Sequence, residues 1–255
     1  LHFWSAGVGK DTILFFCISF FAYSIFKSKI NWFGIFISLV ISYLVRPHIT
    51  LFLIAGFGIG FMLDGKLKGY VKSILMVIFT FGFIILFDSV LSFVNIEEFN
   101  AESFTQFADS SALSARGGSI VDISAYPYPV KVFTFLFRPL FFDMNNIIAL
   151  VASFENLLLL ILFYKFFANK GINSLIKGNY IVKGAFIFFL LGTLSFSLIL
   201  GNLGIMLRQK NMFMLMIYIF LLWGYYHSTI TPSIIRLKYA NKILNHRRLL
   251  SNREK

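Results

Sequence analysis

The stretch NIIALVASFENLLLLILFY, from Asn146 to Tyr164, indicates the class of this protein. It is apolar apart from a few residues, and Lys165 follows it directly. A helix needs about 20 such residues to cross the hydrocarbon core of a bilayer. We therefore interpret the stretch as a transmembrane helix, because open strands cannot satisfy their backbone polar groups in lipid.

The composition of the whole chain agrees with a membrane protein. Of its 255 residues, 58% are hydrophobic and 13% are charged, 34 are phenylalanine, and the mean hydropathy is +0.80. A soluble domain of this size needs more polar surface. The net charge is +12, but most of the 23 basic residues lie in short segments that flank apolar runs. That arrangement orients membrane proteins, so nucleic acid is not an expected partner.

Seven apolar runs are candidate membrane spans. They are approximately Asp11 to Phe26, Ile30 to Val45, Ile49 to Leu63, Ser73 to Val94, Asn146 to Tyr164, Gly184 to Leu200 and Met212 to Tyr226. An eighth run, Val130 to Phe142, is too short to span and is broken by Arg138 and Pro139, which predicts a re-entrant or interfacial segment. The predicted fold is an all-α integral membrane protein with about seven transmembrane helices, this additional segment and a long polar outer loop.

The distribution of lysine predicts the orientation. Lysines follow alternate runs, at Lys27, Lys29, Lys66, Lys68, Lys72, Lys165, Lys170, Lys177 and Lys183, and the tail adds seven basic residues. Cytoplasmic segments carry such an excess, so these loops and the tail are predicted to be cytoplasmic. The predicted regions are 1–94 with four spans, 95–129 as outer loop, 130–226 with the re-entrant segment and three spans, and 227–255 as basic tail. Because the chain begins at Leu1 rather than methionine, we expect further residues before it.

Four arginines on the predicted outer face are the main candidates for substrate binding: Arg46, Arg116, Arg138 and Arg208. Positive charge is sparse on that face, and guanidinium groups bind phosphate bidentately. Arg46 and Arg138 each precede a proline, which disfavours helix at the preceding residue, so each is predicted to end a helix. The predicted ligand is anionic, for example a lipid-linked pyrophosphate. The alternative is a set of isolated arginines that reach lipid phosphates.

Other polar residues near these arginines complete the predicted site. His48 follows Arg46, and Asn202 and Gln209 lie in Gly201 to Asn211, which is predicted to be an outer loop with glycines for tight turns. Asp88 and Glu155 lie inside predicted spans, where acids are functional candidates or members of structural ion pairs. Glu155 is the preferred general base, and Asp143, after the re-entrant segment, is the alternative.

Metal and cofactor chemistry is not expected from the sequence. Cys17 is the single cysteine and lies in an apolar run, and the histidines lack the spacing of metal ligands. The pair Gly56 and Gly60 forms a GxxxG pattern, which predicts close helix packing rather than chemistry.

The long outer loop, the outward arginines, the Phe- and Leu-rich runs and the basic tail resemble the oligosaccharide repeat-unit polymerases of bacterial surface polysaccharides, the O-antigen polymerase-like proteins. Four local strings also resemble uncharacterised membrane proteins of polysaccharide clusters: Arg46-Pro47-His48, Arg116-Gly117-Gly118-Ser119, Arg138-Pro139-Leu140, and Asn202-Leu203-Gly204 with Arg208-Gln209. Members of that class usually have ten or more spans, so the resemblance implies further spans before Leu1.

The resemblance implies a reaction and a location. It implies glycosyl transfer between undecaprenyl-pyrophosphate-linked glycans at the outer face of the bacterial inner membrane, without nucleotide sugar, metal or cofactor. Arg46, Arg138 and Arg208 would bind the pyrophosphate, and Glu155 or Asp143 would activate the acceptor hydroxyl. Predicted partners are a lipid-linked oligosaccharide, membrane lipids and other polysaccharide-assembly proteins. Two other functions stay open: a transporter or flippase for a lipid-linked or anionic substrate, and a noncatalytic assembly subunit.

Overall fold

The computed structural model describes residues 9–27, 29–64, 121, 123, 126–144 and 147–230, with a few more between 69 and 84. The described part contains eight α-helices, which confirms the predicted helical class. They are α1 Lys10–Phe26, α2 Trp32–Val45, α3 Pro47–Met62, α4 Tyr128–Phe137, α5 Ile147–Ala168, α6 Gly171–Ile176, α7 Tyr180–Ile199 and α8 Leu203–Tyr225. A 3-10 turn, Phe141–Asp143, follows α4, and a π-helical turn, Tyr226–Ile230, extends α8.

Three of these helices are long and apolar enough to cross a membrane. They are α5, α7, and α8 together with its π-helical turn. The apolar helices α2, α3 and α4 have 14, 16 and 10 residues, fewer than the roughly 20 that a full span needs. The predicted span Ser73 to Val94 and the outer loop 95–129 lie mostly outside the described residues. The structure therefore supports membrane insertion, but it does not show seven spans.

Two predicted helix ends are confirmed, and both are arginines that precede prolines. Arg46 has an extended backbone between α2 and α3, with Pro47 in the first turn of α3. Arg138 is extended directly after α4. The proline ring disfavours helical geometry at the preceding residue, and a proline costs little in the first turn of a helix.

The predicted outer loop from Gly201 to Asn211 is wrong beyond Asn202, because α8 begins at Leu203. The side-chain oxygen of Asn202 accepts hydrogen bonds from the backbone N–H groups of Gly204 and Ile205, at 2.9 and 3.3 Å, and so caps the helix. The polar run that suggested a loop is stable in a helix because Arg208, Gln209 and Lys210 all find partners on neighbouring elements.

The backbones of α3 and α7 are in close contact. A Cβ atom added to Gly60 would lie 2.5 Å from the backbone nitrogen of Gly184, and one added to Gly56 would lie 2.7 Å from that of Phe188. Real Cβ atoms do not approach so closely, so only glycine permits this contact. The packing predicted from the GxxxG pattern is confirmed, and Gly184 is the matching residue on α7.

Side chains divide the bundle into two ends. At one end, which we call the arginine end, α1, α3 and α8 begin and α2 ends, so that Asp11, Arg46 and Arg208 meet. At the other, the lysine end, α3 ends beside the start of α7: Asp64 accepts a hydrogen bond from the Tyr180 amide at 3.3 Å, and Lys183 donates to the Leu63 carbonyl at 3.0 Å. The lysine distribution predicts that these two ends face opposite sides of a membrane.

Candidate functional site

Two arginines contact one carboxylate at the arginine end, and a glutamine contacts one of these arginines. Arg46 donates from Nη2 to Oδ1 of Asp11 at 2.9 Å and from Nη1 to Oε1 of Gln209. Arg208 contacts the other carboxylate oxygen of Asp11: its Nη2 is 3.0 Å and its Nε is 3.2 Å from Oδ2. We call Asp11, Arg46, Arg208 and Gln209 the arginine cluster.

The cluster joins three distant parts of the chain. Asp11 lies in the first turn of α1, Arg46 in the turn between α2 and α3, and Arg208 and Gln209 in the second turn of α8. The side chain of Asp11 is 11% exposed and that of Arg46 is 19% exposed, whereas Arg208 is 52% exposed. The cluster therefore has a closed side formed by Asp11 and Arg46 and an open side formed by Arg208.

Two guanidinium groups, those of Arg46 and Arg208, face the single carboxylate of Asp11. Burial lowers the pKa of Arg46 from its usual range, the Asp11 carboxylate opposes this shift, and the nearby Arg208 guanidinium adds to it. Guanidinium groups bind phosphate through paired hydrogen bonds, so two of them side by side are suited to a phosphate group.

A second ion pair closes the turn after α4. Arg138 donates from Nε to Oδ2 of Asp143 at 3.0 Å and from Nη2 to Oδ1, and the Leu140 amide donates to Oδ2 at 3.0 Å. Burial opposes ionisation of Asp143, but the bonds from Arg138 and Leu140 together lower the pKa of its carboxyl. A carboxylate held in this way is a weak base. In this geometry Asp143 forms an ion pair with Arg138. Its carboxylate becomes available as a base only when that ion pair breaks.

A buried lysine connects the turn after α4 to two long helices. Lys210 of α8 is 4% exposed, and its Nζ donates to the Leu136 carbonyl at 3.0 Å and to Oδ1 of Asn156. The Nδ2 group of Asn156 donates in turn to the Pro139 carbonyl at 2.8 Å. We call these contacts the Lys210 network. They hold the end of α4 beside the interior of α5 and α8 rather than at the ends of those helices.

The other predicted site residues take separate positions. His48 packs its ring edgewise against Phe52 and Phe196, with centroids 6.3 and 5.7 Å away. Asn202 caps α8, and Glu155 is exposed on α5 one residue before Asn156. Arg116 and Asp88 lie outside the described residues. The structure thus brings Arg46, Arg208 and Gln209 together, and it places Arg138 and Asp143 in a pair of their own.

Two important residues were missed by the sequence argument. Asp11 begins the first apolar run on the same predicted face as Arg46 and Arg208, and this shared face was the available signal. Lys210 was assigned to a loop. An unbroken reading of residues 203–225 as one helix would have shown it as an ionisable side chain within a span, which is a functional candidate.

Among the described residues, no group of three or more His, Cys, Asp and Glu side chains could hold a metal ion. Comparisons with protein families, with curated proteins and with solved structures find no match for this chain.

Proposed function

We propose that this chain is part of a polytopic membrane protein of bacterial surface-polysaccharide assembly, and that the arginine cluster binds the pyrophosphate of a lipid-linked oligosaccharide. The observation that carries the proposal is the convergence of Arg46, Arg208 and Gln209 at one end of an apolar helical bundle. A pyrophosphate at the surface of a bilayer lies at the depth of such an end, and the apolar helices offer a surface for its prenyl chain.

The proposed membrane arrangement follows from charge and helix length. The arginine end faces outward, the lysine end and the tail face the cytoplasm, and about seven segments cross or enter the bacterial inner membrane. The three long apolar helices, and the lysines that follow alternate apolar runs, support this arrangement. In it, α4 and the turn at Pro139 form a re-entrant segment, which the Lys210 network holds between α5 and α8.

The proposed reaction is polymerisation of oligosaccharide repeat units. An acceptor hydroxyl oxygen forms a bond to the anomeric carbon of the donor glycan, and the bond from that carbon to the pyrophosphate breaks. The lipid pyrophosphate leaves with the electron pair, stabilised by Arg46 and Arg208. Glu155 is the better general base, because Asp143 is held by Arg138 and Leu140. The hydroxyl proton passes to its carboxylate.

A transporter or flippase is the second candidate, and the buried Lys210 favours it. An ionisable side chain inside a long apolar helix, within electrostatic reach of Glu155, is typical of proteins that couple transport to ion movement. Both functions use the arginine cluster to hold the anionic group, but they differ in the step that fails when the protein is removed.

The length distribution of lipid-linked glycan in cells that lack the gene tests these functions. We expect single repeat units to accumulate on the outer side, with long glycan restored by the wild-type gene and by Lys10→Gln, a variant of an exposed lysine at the arginine end. Single units that accumulate on the inner side would indicate that the function is transport rather than polymerisation. A glycan ladder of normal length would contradict both functions. It would favour the third function, that of a noncatalytic assembly subunit.

A further inference from the structure

A polar cavity lies at the lysine end, far along the bundle from the arginine cluster. Its volume is about 310 Å³, and it opens where α5, α6 and the π-helical turn after α8 meet. The described residues that line it are two lysines, two asparagines, two serines, one tryptophan and one histidine, with no carboxylate. None of them was a predicted site residue, and the proposed reaction does not use this cavity.

The backbone at Lys170 adopts an unusual conformation that places a cation at the cavity. Lys170 follows α5 with a φ of 56°, and this left-handed region favours glycine because the Cβ of other residues is crowded there. A glycine would make the same turn with less strain. The chain instead has a lysine there, and Lys177, directly after α6, is a second cation in the lining.

Two rings form another part of the cavity wall. The π-helical turn carries His227, whose ring lies 4.1 Å from the indole of Trp223. The indole Nε1 is buried, and no described residue accepts a hydrogen bond from it. Single π-helical turns often mark functional sites. The wall therefore has a flat aromatic surface beside the two lysines.

We propose that this cavity binds the phosphate of a phosphate ester whose substituent is about the size of glycerol. Two full lysine charges outweigh the partial negative charge, about one half each, at the ends of α5 and α8. The amides and hydroxyls in the wall supply further donors. The volume holds roughly ten groups the size of a water molecule at about 30 Å³ each, more than a bare phosphate needs.

Two kinds of molecule present such a phosphate ester at this end of the bundle. One is the headgroup of an anionic phospholipid in the adjoining membrane leaflet, and the other is a soluble phosphate ester. Both present a phosphate with a small polar substituent, and both would contact Lys170, Lys177 and the Trp223 ring.

Trp223 fluorescence distinguishes these sources in the full chain. The chain has three tryptophans, so Trp4→Phe with Trp32→Phe leaves the indole at the cavity as the reporter. The protein is titrated in detergent with sn-glycerol 3-phosphate, with glycerol as the uncharged comparison. It is also placed in nanodiscs of phosphatidylcholine with and without phosphatidylglycerol.

Three variants in this background make the test specific. Lys170→Gly removes the charge and keeps the turn, so the unfolding temperature should stay the same or rise. Lys177→Gln removes the second charge. Lys165→Gln removes a lysine from the last turn of α5, outside the cavity lining, and is the matched control. Loss of one charge-assisted hydrogen bond should weaken binding about tenfold.

The proposal predicts a saturable fluorescence change that Lys170→Gly and Lys177→Gln weaken and that Lys165→Gln retains. A response to glycerol 3-phosphate identifies a soluble ester, and a response to phosphatidylglycerol alone identifies a lipid headgroup. No saturable response to either probe would overturn the proposal. An equal loss in Lys165→Gln would also overturn it, because general surface charge would then explain the binding.

Discussion

Arg46→Gln should weaken binding of farnesyl diphosphate, a short soluble analogue of a prenyl pyrophosphate, by roughly 10- to 100-fold. Arg46 is the most enclosed cation of the arginine cluster, and its guanidinium contacts both Asp11 and Gln209. Hydrogen bonds to charged groups contribute about 1.5–3 kcal/mol each, and 1.4 kcal/mol corresponds to a tenfold change in affinity. Calorimetric titration of the detergent-purified protein measures the effect.

Two further variants separate charge from geometry in this experiment. Lys10→Gln removes an exposed positive charge near Asp11 and should leave the affinity within about threefold of the wild type, because exposed charges interact weakly through water. Arg46→Lys keeps the charge but loses the planar pair of donors, so its affinity should lie between those of wild type and Arg46→Gln. Equal affinities for Arg46→Gln and Lys10→Gln would show that the cluster is not the binding site.

Asn156→Leu should lower the free energy of unfolding by roughly 3 kcal/mol, since each buried polar group left unsatisfied costs about 1–3 kcal/mol. The leucine has a similar size but removes the acceptor for Lys210 and the donor to the Pro139 carbonyl. The unfolding temperature in detergent should fall by about 6–12 °C at this size of chain. The end of α4 should also become easier to cleave with a protease, because the network holds it between α5 and α8.

The double variant Asn156→Leu with Lys210→Met tests the origin of that loss. Removing both partners replaces the polar pair with apolar side chains, so the double variant should be more stable than the sum of the single effects predicts. Ser153→Ala is the matched control: its hydroxyl donates to the Ala149 carbonyl of its own helix, at 2.8 Å, and does not join α4. Strictly additive effects would mean that Lys210 and Asn156 do not act together.

Local chemistry explains which parts of the fold could be predicted from the sequence. Arg46 and Arg138 were predicted to end helices because proline restricts the residue before it, and that restriction does not depend on the rest of the chain. The close approach of α3 to its neighbour followed from Gly56 and Gly60 in the same way. In both cases, the controlling atoms lie within a few residues along the chain.

The parts that were missed depend on partners that are distant in sequence. Asp11 and Arg208 are 197 positions apart, and Lys210 and Leu136 are 74 positions apart. A polar run such as Arg208 to Lys210 is a loop signal when its side chains face water, but it is compatible with a helix when each side chain meets a partner. The sequence showed the charges at the arginine end, and only the packing of α1 against α8 showed that Asp11 lies between them.

The sharpest test of a pyrophosphate site at the arginine cluster is the affinity of Asp11→Asn for farnesyl diphosphate. In the wild type the carboxylate occupies both guanidinium groups, so a ligand must compete with it. Removing its charge should tighten binding about tenfold, as expected when roughly 1.4 kcal/mol of competition is lost. Weaker or unchanged binding would contradict the proposal, because the arginines would then serve only to join α1, α2 and α8.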